Sequence, residues 1–249
     1  MRRILIGAGI AFAALIAVGI VYAMWDQLPF GPGAHVLLEV DVPESSAPQV
    51  LDRVMEETAG VLRKRVDVAS IRRVGARRLM VALTGTPDLP RLLPVFTARG
   101  AFGIYLVDDD PTRSDVKMHG VPIGETAYPS FNNPILVFNQ NLLDGRHIVD
   151  AMRSFDAATG DPGLSIRWDD AGTTRFAQLT TEHLYKRLAL VRDGKLLFIP
   201  LITTPLTNGT AEIHGQMTPE EAAFNARVLR GGMLPARVRV IDSGPGLPN

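Results

Sequence analysis

Between Arg187 and Val240 the chain carries its densest run of local folding signals, and they leave little freedom in what it can form. Two apolar runs, Leu188 to Val191 and Leu196 to Ile202, flank Asp193-Gly194, a pair that tolerates the positive φ of a primed two-residue turn, so a β-hairpin is expected. A third run, Ala211 to His214, follows the turn residues Asn208-Gly209. Thr218-Pro219-Glu220-Glu221 then has the layout of a capping box. The Thr218 hydroxyl accepts from the backbone N–H of Glu221, the Glu221 carboxylate reaches back, and Pro219 sits where a missing N–H costs nothing. The helix carries Ala222, Ala223, Phe224, Val228 and Leu229 and stops at Gly231-Gly232, residues suited to a left-handed cap. Leu234-Pro235-Ala236 releases the chain into a last strand, Arg237 to Ile241.

A second constraint stands at the N-terminus. Ile4 to Met24 is an apolar run of 21 residues without Asp, Glu, Lys, Arg or His, long enough to cross a bilayer core of about 30 Å as a helix. Arg2 and Arg3 precede it and Trp25 closes it, which puts the N-terminus in the cytoplasm and everything after Trp25 outside. The rival reading is a cleaved leader ending near Val21-Tyr22-Ala23, but the run exceeds a leader's usual apolar core, so an uncleaved single-pass anchor in the inner membrane is the expectation.

Composition excludes several classes. Lys and Arg number 26 against 26 Asp and Glu, so no electrostatic case exists for nucleic acid as a partner. Cysteine is absent, which removes disulfides, thiolate catalysis and zinc-thiolate sites. Histidines 35, 119, 147, 183 and 214 stand singly, with no HExxH, and neither a GxSxG elbow nor a phosphate-binding glycine loop occurs. Asp108-Asp109-Asp110 lacks the alternation and distal Glu of a calcium loop. No catalytic, cofactor or metal site is expected, and the chain is not read as an enzyme.

In chain order, residues 1–25 are the cytoplasmic tip and anchor and 26–33 a Pro/Gly linker. Val36 to Val42 alternates as a strand. Pro48 to Val66 has helical period, with Val50, Leu51, Val54, Met55, Val61, Leu62 and Val66 on one face and Arg63 and Lys64 opposite. Val68 to Val74 and Arg78 to Leu83 read as a hairpin turning at Gly75-Ala76, Asp88 to Thr97 as a helix weakened by Pro94, and Phe102 to Val107 as a strand. The sum is an α+β fold: a ferredoxin-like βαββαβ base over 34–107. Residues 108–136, rich in Pro, Gly and Asn, form a connector. Residues 137–235 form a second α+β unit. In it Ile148, Val149 and Met152 suggest a short helix, Gly163 to Trp168 a strand, and Asp169 or Asp170 caps a helix bearing Phe176, Leu179 and Leu184. Residues 236–249, a return strand to the base and a tail, make the second unit an insertion or appendage.

The order of motifs resembles a known family. Asp193-Gly194-Lys195, Ile199-Pro200-Leu201-Ile202, Asn208-Gly209, Ile213-His214-Gly215, Thr218 to Ala222 and Leu229-Arg230-Gly231-Gly232-Met233-Leu234-Pro235-Ala236 look like the end of the first periplasmic domain of SecD, a membrane subunit of the bacterial protein-export machinery. Leu37 to Asp41, Arg63-Lys64-Arg65-Val66, Leu79 to Leu83 and Thr97-Ala98 match its base in order, and the resemblance covers Ala34 to Leu247. It departs ahead of the first strand, where Gly31 and Gly33 are the only echo of the family's glycines. It also departs at Asn249, where family members enter a second span. The resemblance implies a base bearing a head subdomain, and Sec translocon components or a translocating polypeptide as partners. Family members draw on the proton gradient. The Ile4–Met24 span has no ionisable group but Tyr22, so no proton coupling of its own is expected. The alternative is a non-catalytic scaffold or regulatory subunit of an unrelated envelope complex.

If polypeptide is held, a sheet edge and an apolar groove are the expected means, with Leu196, Phe198 and Ile202 on one strand face as the candidates. Asp193, Gly194, Pro200, Gly215, Thr218, Glu221, Gly231 and Pro235 are read as structural motif positions.

Overall fold

The first sheet is organised around β1, Ala34–Val40, whose alternate residues Val36, Leu38 and Val40 are fully buried. A computed structural model describes residues 33–66, 69–110, 120–130, 133–215 and 217–246; the expected span Ile4–Met24 lies outside them. Among the described residues no helix is long and apolar enough to cross a membrane.

Helix α1, Pro48–Arg65, follows β1 with Pro48 at its first turn and Arg63, Lys64 and Arg65 in its last, where cations complement the helix dipole. The hairpin β2, Ala69–Arg73, and β3, Arg78–Leu83, comes next, then α2, Leu89–Thr97, capped by Asp88. The sheet is closed from the far end of the chain by β13, Val238–Pro245, giving the antiparallel order β13-β1-β3-β2. Its inner face meets α1 and α2 through Leu38, Met55, Leu62, Val81 and Phe96.

The strand expected to complete this sheet does not join it. Phe102–Leu106 (β4) pairs with β10, Leu188–Arg192, and with β7, Leu143–Asp144, so the base expected over 34–107 loses its last strand to the second unit. Pairing partners are non-local, and the strand pattern of Phe102 to Leu106 fits either sheet. The last strand, β13, pairs antiparallel with β1.

Among the described residues the second unit holds three sheets. The first runs β11-β10-β4-β7, with β11 at Lys195–Phe198. The next runs β12-β9-β8, from β12, Thr210–His214, through β9, Pro162–Trp168, to β8, Ile148–Phe155. A two-stranded hairpin, β5 Glu125–Tyr128 and β6 Ile135–Phe138, lies across the boundary at 136 between the stretch read as connector and the second unit. The helix expected at Ile148 to Met152 is strand β8 instead, entered through a single 3-10 turn at Gly145–His147. Ile148 and Val149 are β-branched and favour a strand. Their helical spacing to Met152 is accidental, because Met152 is exposed. Helix α3, Asp170–Glu182, is capped by Asp169, and α4, Pro219–Gly231, opens with the complete capping box. Trp168 sits between Phe102 and Phe176, at ring separations of 6.2 and 5.5 Å, in a core shared by β4, β9, β10 and α3.

Candidate functional site

The two units meet where the chain leaves the first, at Ala98 to Ala101, and returns to it, at Gly232 to Leu234. Both crossings converge on Arg65, a fully buried arginine at the end of α1. Its Nη1 donates to the carbonyls of Val95 (2.9 Å) and Ala98 (2.6 Å), and its Nη2 to those of Arg99 (3.3 Å) and Gly232 (2.6 Å). Burial lowers its pKa to about 10, which leaves it charged at neutral pH. A buried charge is tolerated only when hydrogen-bonded, and here carbonyl dipoles take the place of a carboxylate. Helical period places position 65 on the buried face with Met55, Thr58, Ala59 and Leu62. The sequence reading of that face is therefore rotated: Val50, expected inside, is exposed.

Two glycines make room for this guanidinium. Gly100 has φ +77 and a Cβ there would stand 2.5 Å from Arg65 Nη2, while a Cβ on Gly231 would fall on Arg65 Cγ. Gly231, read as a helix stop, is thus also a packing position, and Gly232 with φ 80 makes the cap.

Asp193 has a second role beside its turn. Asp193 and Gly194 take φ 51 and 73, as the primed turn requires. The Asp193 carboxylate also accepts from the Ala101 N–H at 2.8 Å and from Arg192 Nη1 at 2.9 Å. Arg192 is itself buried; its Nε donates to Asn225 Oδ1 (2.8 Å) and its guanidinium lies 4.8 Å from the Phe224 ring centre. The hairpin tip, the outgoing crossing and α4 are locked into one joint.

Beside this joint, α2 and the first half of α4 bound a cleft of about 830 Å³. Its apolar wall includes Leu92, Val95, Ala223 and Phe224, and its rim carries Asp88, Arg91, Glu220 and Arg227. Arg91 spans the mouth, 3.1 Å from Asp88 beside it and 3.6 Å from Glu220 on the opposite helix. Both partners are largely exposed, so this cross-cleft pair is worth at most about 1 kcal/mol and opens readily. An apolar floor with a charged, openable rim fits an amphipathic chain segment. No single motif marks this cleft in the sequence, since its walls lie more than a hundred residues apart.

The residues expected to hold polypeptide do not form such a site. A bulge in the β10–β11 pairing sets Leu190 opposite Phe198 and Val191 opposite Leu196. Phe198 and Ile202 therefore join the Trp168 core, each 5% exposed, while Leu196 packs against Val107, Val137 and Val191. Simple alternation, which put the three on one face, fails at a bulge. The other motif positions are structural: Pro200 accepts from Leu188 N–H, Gly215 takes φ 85, Thr218 and Glu221 complete their box, and Pro235 follows Leu234, whose N–H donates to Arg99.

Among the described residues one nucleophile-like array occurs, on the outer face of the β12-β9-β8 sheet. Ser154 Oγ lies 3.1 Å from His214 Nε2, with Asp156 Oδ2 3.9 Å from His214 Nδ1. That last distance is not a hydrogen bond. Asp156 instead closes a turn by accepting from the N–H groups of Ala158 and Thr159, so it does not orient the imidazole as a base.

Residues 125–236 match the family model described as SecDF, P1 head subdomain. The protein translocase subunit SecD of Acetobacter pasteurianus is 30% identical over 220 residues, covering 85% of this chain and 42% of that subunit. The SecD of Magnetococcus marinus is 32% identical over 243 residues, covering 88% and 44%. A solved structure of SecDF, described as a membrane component that enhances protein export, superposes with a TM-score of 0.60 at 26% identity, covering 84% of this chain and 98% of that one. SecDF in a super-membrane-facing form superposes at 0.64, with 25% identity, covering 86% of this chain and 30% of that one. The chain spans about half or less of the length of the curated relatives it matches.

Proposed function

The chain is related to the SecD family over most of its length, and on that premise we propose that it is a membrane-anchored accessory of protein translocation whose extracytoplasmic part holds unfolded polypeptide in the cleft between α2 and α4. The first sheet, with α1 and α2, is a ferredoxin-like base in which β13 supplies the fourth strand, and residues 98–234 form the head inserted into it. Ile4 to Met24 anchors this assembly in the inner membrane with the head outside.

The observation that carries the reading is the cleft itself. It is apolar in its depth and charged at its mouth, and it lies between base and head. An extended segment seats apolar side chains against Leu92, Ala223 and Phe224 while its backbone reaches the polar rim.

The test is fluorescence anisotropy of a labelled, permanently unfolded polypeptide titrated with the full-length protein in lipid nanodiscs. Ala223→Arg, which fills the cleft with a charge, is expected to weaken binding at least about fivefold, the loss of roughly 1 kcal/mol of contact. Binding of equal strength in wild type and Ala223→Arg, with the variant still folded, overturns the assignment.

A further inference from the structure

We propose that His35 is a pH-controlled clasp that ties the end of β13 to the start of β1, closed when the imidazole is protonated and loosened when it is neutral. Its two ring nitrogens face two oxygens of β13 and its end. Nδ1 lies 3.0 Å from the carbonyl oxygen of Gly246 and Nε2 lies 3.2 Å from Asp242 Oδ2. Both are acceptors only, so making both bonds requires two N–H donors, and imidazole has two only when protonated. Neutral His35 keeps one bond and sets a lone pair against the other oxygen.

The register explains why this pair of contacts falls on one side chain. The bulge between Leu37 and Leu38 shifts β13 by one residue, so that Asp242 faces Leu37 and Gly244 faces His35. Asp242 is then the diagonal neighbour of His35 on the outer face of the sheet. Its direct neighbours carry no charge: Ala82 on β3, Gly244 on β13 and Leu37 along β1. The charge that acts on His35 is that of Asp242.

The segment it holds pairs with β1 on one side only and gains little from side-chain burial. From Ile241 to Gly246 no side chain is buried, and the strand lies at the sheet edge. Besides the ladder to Ala34–Leu37, a backbone bond from Gly246 N–H to the Gly33 carbonyl, 2.9 Å, ties this end. The pKa of His35 is raised above its ordinary value, chiefly by the Gly246 carbonyl and then by Asp242. The clasp therefore contributes fully below the ordinary histidine range and its contribution is lost as pH rises through the raised value.

Hydrogen–deuterium exchange of the full-length protein in nanodiscs, corrected for intrinsic exchange and followed on the segment 238–246 from about pH 5.5 to about pH 8, reads this directly. Wild type is expected to lose protection there several-fold as pH rises, with the segment 162–168 unchanged as an internal control. His35→Gln is expected to remove the pH dependence, and Asp242→Asn to move its midpoint to lower pH. Protection independent of pH in wild type, or the same dependence and midpoint in Asp242→Asn as in wild type, overturns the proposal.

Discussion

Arg65 Nη2 stands 2.6 Å from the carbonyl oxygen of Gly232, a bond across 167 positions of sequence that pins the returning chain to the end of the first helix. The same guanidinium holds the outgoing chain at Ala98 and Arg99, so one side chain fixes both crossings between base and head. A joint made this way is rigid locally, and it sets the spacing of the cleft beside it.

Arg65→Met removes the donor while leaving the carbonyls of Val95, Ala98 and Gly232 behind. A loss of about 3 kcal/mol in stability is expected in denaturant unfolding, the scale for breaking a buried polar network. Arg65→Lys is expected to recover only part of it, because an ammonium cannot reproduce the fork that reaches both crossings.

Two glycines of helices near Arg65 separate packing from propensity. Gly231→Ala drives a methyl group onto Arg65 and is expected to destabilise by about 2 kcal/mol. Gly60→Ala in α1 meets nothing within 4 Å and is expected to stabilise by about 0.5–1 kcal/mol through helix propensity alone. Thermal unfolding of the two variants should shift in opposite directions.

Thr218→Ala opens the capping box that starts α4, freeing the Glu221 N–H. The expected cost is about 1 kcal/mol. Because α4 forms one wall of the cleft, exchange of the amides of residues 220–223 should rise more than that of β9.

Acid should weaken the head through three aspartates. The pKa of Asp144 is lowered first by the Arg146 side chain, that of Asp156 by the Thr159 and Ala158 N–H groups, and that of Asp169 by the Gly172 N–H. Folded-state values below the ordinary range mean that their contribution is present above that range and is lost as pH falls through the folded values. Trp168 fluorescence in a Trp25→Phe background should show a melting temperature that is flat near neutrality and falls below about pH 4. Asp169→Asn should flatten that fall.

Much of this architecture was legible in residues, and the pattern of what was not has a physical cause. The Asp193-Gly194 hairpin, the Thr218–Glu221 box and the Gly232 cap depend on contacts within four residues, and each stands as read. The assignment of Phe102 to Leu106 failed because a strand does not announce its partner. Leu196 and Phe198 were separated by one bulge that alternation cannot foresee. Arg65 lies within the Arg63-Lys64-Arg65-Val66 run, but a hydrophobic period counts arginine as surface. The signal that could have found it is its place three residues after buried Leu62, opposite two glycine-bearing crossings.

The proposed α2–α4 cleft for unfolded polypeptide can be probed where it acts. Its most direct test is site-specific photo-cross-linking in cells, with the probe at Ala223 in the cleft or at Glu212 on the outer face of the head sheet, while an exported protein is arrested in transit. Cross-links to the arrested chain are expected from position 223 and few or none from position 212. Equal cross-linking from both positions, or capture from 212 alone, would contradict this assignment.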